Sequence, residues 1–99
     1  MARKWIINDG DLIIGDAEFH EDLIPTGRKR NDTVGGGRWH FDKVNNIVYF
    51  WGKSGDFGQA TKKQFEDSFK QPSVEKAKIV FSHETDFLKI LMQNCNKSE

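Results

Sequence analysis

Polar and apolar residues alternate through residues 38–51 in the way that two paired strands require. Two five-residue segments, 38–42 and 47–51, flank Lys43-Val44-Asn45-Asn46, where the asparagines tolerate the left-handed conformation of a turn. Antiparallel pairing in either register gives one wholly apolar face, made of Trp39, Phe41, Val48 and Phe50. The opposite face mixes charge with aromatic rings and comprises Arg38, His40, Asp42, Ile47, Tyr49 and Trp51. We predict a hairpin whose apolar face packs on helices and whose mixed face takes a ligand or a subunit partner.

A second hairpin is predicted at the N-terminal end of the chain, with strands at residues 4–7 and 11–20. Asn8-Asp9-Gly10 separates them, and Asp-Gly favours the positive φ angles of a tight hairpin turn. Alternation from residue 11 onward places Ile13, Gly15, Ala17 and Phe19 on the face that is the better core candidate. The other face carries Leu12, Ile14, Asp16, Glu18 and His20.

The segment between the two hairpins, residues 24–37, contains a Pro-Thr-Gly turn and three consecutive glycines among charged residues. Glycine and proline at this density are typical of loops, so we expect an exposed and mobile connection. Arg28-Lys29-Arg30 within it is interpreted as a solvated part of that loop.

The C-terminal third of the chain predicts helix, strand and helix. Thr61 is a suitable N-cap for a helix from Lys62 to about Lys70, which Pro72 should stop. Residues 78–81 are typical of a strand. A last helix through Met92, with a cap from Ser82, Thr85 or Asp86, has an apolar stripe of Phe87, Leu88, Leu91 and Met92.

The predicted fold class is α+β. We expect an antiparallel sheet of about five strands, formed by two hairpins and the later strand, with two helices packed mainly on one face. At 99 residues the chain is the size of one domain, so residues 1–99 are assigned to a single domain. Its 36% hydrophobic and 12% aromatic content supplies enough apolar surface for a core without metals or disulfides.

Charge and cysteine content narrow the partners and the compartment. Fifteen basic and fifteen acidic residues cancel, which argues against binding of a nucleic-acid polymer. The single cysteine, Cys95, has no intramolecular disulfide partner, which fits a reducing compartment. No apolar run reaches the length of a signal peptide core or a membrane span. We therefore expect a cytoplasmic protein without a membrane partner.

Three segments place ionisable side chains beside glycines, at residues 15–20, 35–42 and 52–58. We predict that the last two combine with the mixed hairpin face as a binding site. Aromatic rings with a nearby arginine suit stacking of a nucleotide base, and a glycine-rich turn can offer backbone N–H groups and a lysine to an anion. The predicted ligand-binding residues are Arg38, His40, Tyr49, Trp51, Lys53, Ser54 and Asp56.

The same segments allow other interpretations. Burial of Tyr49 and Trp51 in a core or a homo-oligomer interface is one alternative to ligand binding. Another is a hydrolase that uses a metal ion or an acid and a base, because imidazoles and carboxylates supply both chemistries. The candidate ligands for a metal are Asp16, Glu18, His20, His40 and Asp42, to which Asp56 adds a further carboxylate for acid-base chemistry. No pattern indicates a resident cofactor, and we predict none.

The glycine-centred pattern resembles that of small accessory proteins of tailed bacteriophages and prophages. The resemblance covers residues 10–60 and rests on Gly15-Asp16-x-x-Phe19-His20, Gly35-Gly36-Gly37-x-Trp39-x-x-Asp42 and Gly52-x-Ser54-x-Asp56-Phe57-Gly58. It implies a non-enzymatic binding protein, acting on a host protein or a small nucleotide, and it carries over no catalytic residue. The alternatives from other classes are the hydrolase using His20 and His40 and a structural, oligomeric component.

Overall fold

The computed structural model describes residues 2–69 and 78–97, with side chains as far as residue 93. They form an α+β structure of five strands and two helices, which confirms the predicted class and strand number. The strands are β1 Ala2–Asn8, β2 Asp11–Ala17, β3 Thr33–Asp42, β4 Ile47–Trp51 and β5 Lys78–Ser82. The helices are α1 Lys62–Ser68 and α2 Phe87–Lys97, and two short 3-10 turns cover His20–Leu23 and Arg30–Asp32.

The sheet is mixed, with the strand order β2-β1-β3-β4-β5. Three neighbouring pairs are antiparallel, but β4 and β5 run parallel. The prediction of a purely antiparallel sheet is therefore wrong. The physical reason is the connection: two parallel neighbours require the chain to return from the end of β4 to the side where β4 begins before β5 can start.

Both predicted hairpins are confirmed. The β1–β2 turn consists of Asp9 and Gly10, whose φ angles of 51° and 79° match the two-residue turn that suits the twist of a hairpin. Between β3 and β4, Asn46 has a φ of 56°. The register of that hairpin pairs Trp39 with Phe50 and His40 with Tyr49, so the two faces have the predicted composition.

One face of the sheet packs against α1 and is called the α1 face. Its centre is an aromatic cluster in which Trp5 meets Phe50, Phe65 and Phe81 at ring-centroid distances of 6.2, 5.6 and 6.0 Å. Helix α1 begins with a capping box, because Thr61 Oγ1 accepts from the Gln64 amide while the Gln64 side chain accepts from the Thr61 amide. Pro72, predicted to stop this helix, lies outside the described residues.

Helix α2 packs on the opposite face, called the α2 face. Its Phe87 contacts Tyr49 and Trp51, and neighbouring residues of a strand point to opposite sides, so these two lie across the sheet from Phe50. The prediction of two helices mainly on one face is therefore wrong. The buried side of α2 also differs from the predicted apolar stripe, because Ile90 is buried whereas Leu88 and Met92 are 68% and 66% exposed.

The three consecutive glycines lie inside β3 rather than in a loop, which corrects the prediction for residues 24–37. All three are buried in contact with other backbone. A Cβ atom added to Gly36 would come within 2.5 Å of the Trp5 carbonyl oxygen, and one on Gly35 within 2.5 Å of the Ala60 amide nitrogen. One on Gly37 would collide with the Trp51 carbonyl oxygen and the Trp5 indole. The glycines are there because no side chain fits.

Arginine contacts fix the rest of the connection between the hairpins. Arg28 binds Asp11 at 3.0 Å and the Asn8 carbonyl oxygen at 3.1 Å. Arg30 binds Glu21 at 3.4 Å and lies 4.8 Å from the centre of the Phe57 ring. Residues 28–30, interpreted from the sequence as a solvated loop, therefore tie the connection to the body of the protein.

Strand β2 ends at Ala17, three residues earlier than predicted. His20 begins the first 3-10 turn and is buried, whereas Phe19 is exposed instead of lying on the predicted core face. Leu12, assigned from the sequence to the other face, packs against the aromatic core. Both faces of β2 are therefore partly covered.

We expect Gly36→Ala to destabilise the fold by about 1–3 kcal/mol, because the added methyl group overpacks a site bounded by rigid backbone. Gly55→Ala is the matched control, since its Cβ would enter open space and its φ is not in the left-handed range. We expect the free energy of unfolding of the control to be unchanged or raised by up to about 1 kcal/mol. Urea unfolding of both variants tests the close approach, and equal stabilities would contradict it.

Candidate functional site

Strand register brings three side chains of the α2 face into one row. Lys4 of β1 lies opposite Arg38 of β3, and Arg38 lies opposite Trp51 of β4. Directly opposed residues of neighbouring strands point to the same side of a sheet with their Cβ atoms roughly 5 Å apart. We call Lys4, Arg38 and Trp51 the basic-aromatic strip.

Phe87 of α2 completes the aromatic end of the strip. Its ring stacks on Trp51 with centroids 4.2 Å apart and planes inclined by 18°. It also meets Tyr49 edge-on at 5.3 Å and His40 at 5.5 Å. Helix α2 is held at this point by Asp86, whose Oδ1 accepts a hydrogen bond from the Leu88 amide in the manner of an N-cap.

The basic end of the strip carries two cations without acidic partners. Lys4 is only 8% exposed, and its Nζ donates to the Ala17 carbonyl oxygen at 2.9 Å. Arg38 is exposed. Among the residues that the structure describes, neither side chain has a carboxylate within 4.0 Å. A buried ammonium group without a counter-charge favours an anion nearby.

His20 lies beside the basic end of the strip. Its Nε2 is 2.9 Å from the Gly37 carbonyl oxygen, which can only accept, so the neutral ring carries its proton on Nε2. Burial lowers the pKa of His20 below its ordinary value. The hydrogen bond to Gly37 raises this pKa, but by less than burial lowers it. The positive charges of Lys4 and Arg38 lower this pKa further, whereas the negative charge of Asp56 raises it.

The predicted ligand-binding residues therefore divide into two groups. Arg38, His40, Tyr49 and Trp51 share the α2 face, as the hairpin register required. Of these, Tyr49 is buried and His40 is partly covered by Phe87, so the exposed part of this group is Arg38 with the edge of Trp51.

The second group of predicted residues belongs to the turn at 52–58. Ser54 is buried, and its Oγ accepts from the amides of Asp56 and Phe57 at 3.2 and 3.1 Å. Its backbone also pairs with Gly58 in both directions. Ser54 therefore stabilises the turn, which corrects its assignment as a ligand-binding residue. Lys53 is exposed, and Asp56 faces Arg30 at 4.0 Å.

The predicted metal ligands do not converge. Asp16 points to the α1 face and His40 to the α2 face, while Glu18 lies beyond the end of β2. Within the described residues, no three His, Cys, Asp or Glu side chains are grouped so that they could hold a metal ion. The five-residue metal site is therefore not formed.

Asp42, another of those candidates, has a structural role in the β3–β4 turn. Its Oδ2 accepts from the Asn45 side chain at 2.8 Å, and its Oδ1 accepts from the amides of Asn45 and Val44. These hydrogen bonds, the one from the Asn45 side chain above all, lower the pKa of Asp42.

His20 and His40 occupy separate parts of the sheet. The ring of His20 lies against Gly36, where an added Cβ would be 3.0 Å from its Cδ2 atom. Gly36 and His40 are four positions apart along β3, which is about 13 Å at the rise of a β-strand. The hydrolase hypothesis in which both imidazoles share one site therefore fails.

Two members of the site were missed by sequence reasoning. Lys4 was assigned to a strand, and its alternation with Ile6 places it on one face, but only the β1–β3 pairing shows that it neighbours Arg38. Phe87 was assigned to a helical core stripe. Its contact with Trp51 depends on the docking of α2, for which the local sequence carries no signal.

Comparisons with protein-family models, curated proteins and solved structures find no match to this chain. A separate examination of the described helices finds none that is long and apolar enough to cross a bilayer. The case for a function consequently depends on the geometry of the strip.

We expect the free energy of unfolding to decrease as the pH falls from about 6.5, the ordinary pKa of histidine. Because the pKa of His20 is lower in the folded protein, the unfolded chain binds this proton first, and acid favours unfolding. One proton accounts for at most about 1.4 kcal/mol per pH unit.

Urea unfolding between about pH 7.5 and pH 5.5 tests this linkage, with His20→Gln removing the titrating group. His83→Gln is the comparison variant: His83 is exposed, and its Nε2 likewise lies close to a backbone carbonyl oxygen, that of Ala60 at 2.7 Å. The decrease should be smaller in His20→Gln than in His83→Gln. Identical pH profiles for the two variants would contradict the burial of a neutral His20.

Proposed function

We propose that this chain is a non-enzymatic binding protein and that its ligand is a small nucleotide held at the basic-aromatic strip. The observation that carries the proposal is the row of Lys4, Arg38 and Trp51, in which two cations that have no acidic partner among the described residues adjoin an aromatic ring. A small nucleotide carries both matching groups, since its phosphate suits the cations and its base suits the aromatic ring.

The basic end suits a phosphate group. The planar guanidinium of Arg38 is exposed and can donate two parallel hydrogen bonds to phosphate oxygens. Lys4 adds a positive charge in a buried position, where water screens it less than at the surface. Lys53, exposed shortly after the end of β4, can add a third cation at the rim.

The aromatic end suits a nucleotide base. Phe87 covers one face of the Trp51 indole and holds it in place, while the Trp51 side chain remains partly exposed. Stacking of a base on an aromatic side chain stabilises a complex by about 1–3 kcal/mol. A ring that is already fixed loses little conformational entropy when it binds.

A mononucleotide fits this site better than a polymer. The chain has no net charge, and the strip supplies only two or three cations. Binding along a nucleic-acid backbone draws on many phosphate contacts and on an extended positive surface.

A protein partner is the second candidate. Leu88 and Met92 lie one turn apart on α2, and both are largely exposed. An apolar helix edge of this kind suits a partner protein better than a nucleotide. Action on a host protein and an origin in a tailed phage both remain predictions.

We expect adenosine monophosphate to bind more tightly than either adenosine or inorganic phosphate alone, because only the nucleotide uses both ends of the strip. Arg38→Gln should weaken its binding about tenfold or more, the usual effect of losing a charge-assisted hydrogen bond. Arg3→Gln is the matched control, since Arg3 is an exposed arginine one position from Lys4 that points to the α1 face. Calorimetric titration gives the dissociation constants.

An independent signal comes from His20, because a bound phosphate adds negative charge where Lys4 and Arg38 now lower the His20 pKa. The pKa of His20, followed by NMR, should rise when adenosine monophosphate binds and should not rise with adenosine. Absence of saturable binding by all four ribonucleoside monophosphates would overturn the proposal. Equal binding by the Arg38→Gln and Arg3→Gln variants would also overturn it.

A further inference from the structure

Strand β2 forms one edge of the sheet. Its turn joins Asn8 to Asp11, and in a two-residue hairpin this closing pair is hydrogen-bonded. Hydrogen-bonded pairs alternate with non-bonded pairs along an antiparallel ladder. Leu12, Ile14 and Asp16 occupy the non-bonded positions opposite β1, so their amide and carbonyl groups point out of the sheet.

These outward groups are free in the part of the chain that the structure describes. Apart from the ladder with β1, no backbone hydrogen bond between described residues involves residues 11–17. Among the described residues, the side-chain hydrogen bonds to the backbone of this strand go to the carbonyl oxygens of Gly15 and Ala17, which belong to the hydrogen-bonded positions instead. The edge is therefore available over the length of β2.

The centre of the edge lacks the features that normally prevent strand association, and the charged residues of β2, Asp11 and Asp16, lie towards its ends. Exposed edges are usually protected by a lysine, a proline or a bulge. β2 instead has the apolar run Leu12-Ile13-Ile14 at its centre and pairs with β1 without a register shift. Ile14 is 48% exposed on the α1 face.

We propose that β2 pairs antiparallel with β2 of a second copy of this chain, about a two-fold axis at Ile14. The two five-stranded sheets then become one sheet of ten strands. In this register Ile14 faces Ile14 of the partner subunit, and Leu12 faces Asp16 of the partner subunit. All three outward residues of each copy gain backbone partners, and the exposed Ile14 side chains cover one another.

Among the registers whose two-fold axis passes through an outward residue, charge and strand length favour the axis at Ile14. An axis at Asp16 would set two carboxylates directly opposite, which is destabilising. An axis at Leu12 would place Asp16 beyond the start of the partner strand, opposite its turn. An axis at Ile14 separates the carboxylates, because Asp16 faces leucine and Asp11 faces Ala17 of the partner subunit.

The self-complementarity of the edge identifies the occupant as a second copy. A two-fold axis requires one strand to be its own partner, and the axis at Ile14 meets this condition for hydrogen bonding, for charge and for the exposed apolar side chain. The edge lies on the opposite side of β1 from β3, which bears Arg38. The dimer and the nucleotide site can therefore succeed or fail independently.

Sedimentation velocity over a range of protein concentrations, without nucleotide, tests the dimer. We expect the mass to rise towards twice 11.4 kDa with concentration. Ile14→Lys should keep the protein monomeric, because it places two ammonium groups together at the axis. Val44→Lys is the matched control, since Val44 is 92% exposed in the β3–β4 turn, and it should dimerise normally.

A cysteine pair tests the register. In the Cys95→Ser background, Ile14→Cys should give a disulfide-linked dimer under mild oxidation, because Cα atoms of a hydrogen-bonded antiparallel pair lie about 5.5 Å apart. Ile13→Cys is the control, because Ile13 faces Gly15 of the partner subunit and meets no second cysteine. A monomer at every concentration, dimerisation by Ile14→Lys, or equal cross-linking of the two cysteine variants would overturn the proposal.

Discussion

The close approach of other backbone segments to β3 is the constraint on which the rest of this structure depends. At residues 35–37 the neighbouring carbonyl and amide groups leave no room for a Cβ atom on either side of the strand. Three glycines therefore occupy the middle of the sheet, at the conformational cost that glycine carries in a strand. At these central positions of the sheet, the Trp5 indole and the His20 ring lie directly against the backbone of β3.

The location of the candidate site follows from this arrangement. His20 covers the α2 face at Gly36, and the next side chain of β3 on that face is Arg38. Arg38 thus lies between two covered positions: the 3-10 turn that contains His20 covers Gly36 on one side, and Phe87 of α2 covers Trp51 on the other. The gap between two covering elements leaves a cation exposed beside an aromatic ring.

Features that depend on neighbouring residues were predictable from the sequence, whereas features that depend on distant packing were not. Asp9-Gly10 determines its hairpin locally, and alternation in the second hairpin placed Trp51 on the correct face. Residues 35–37 indicate a loop when considered alone, because only contact with Trp5 and Ala60 makes glycine necessary in a strand. The covering of the α2 face by Phe87 likewise required the position of a helix far along the chain. Parallel pairing of β5 has no local signature, since a short apolar strand looks the same in either direction.

The parallel pairing of β4 and β5 makes the last strand of the sheet depend on a crossover connection. Strands β1 to β4 are joined through two hairpins and the connection that contains the ion-paired Arg28 and Arg30, whereas β5 pairs parallel to β4 and so requires a crossover between them. Closing a longer connection carries a larger entropic cost, and different segments of a fold open locally with different free energies. Opening of β5 together with α2 would release Phe87 and leave Lys4 and Arg38 paired in the sheet. All three residues of the strip thus lie in strands β1, β3 and β4, and only the Phe87 ring that covers Trp51 belongs to helix α2, beyond the crossover.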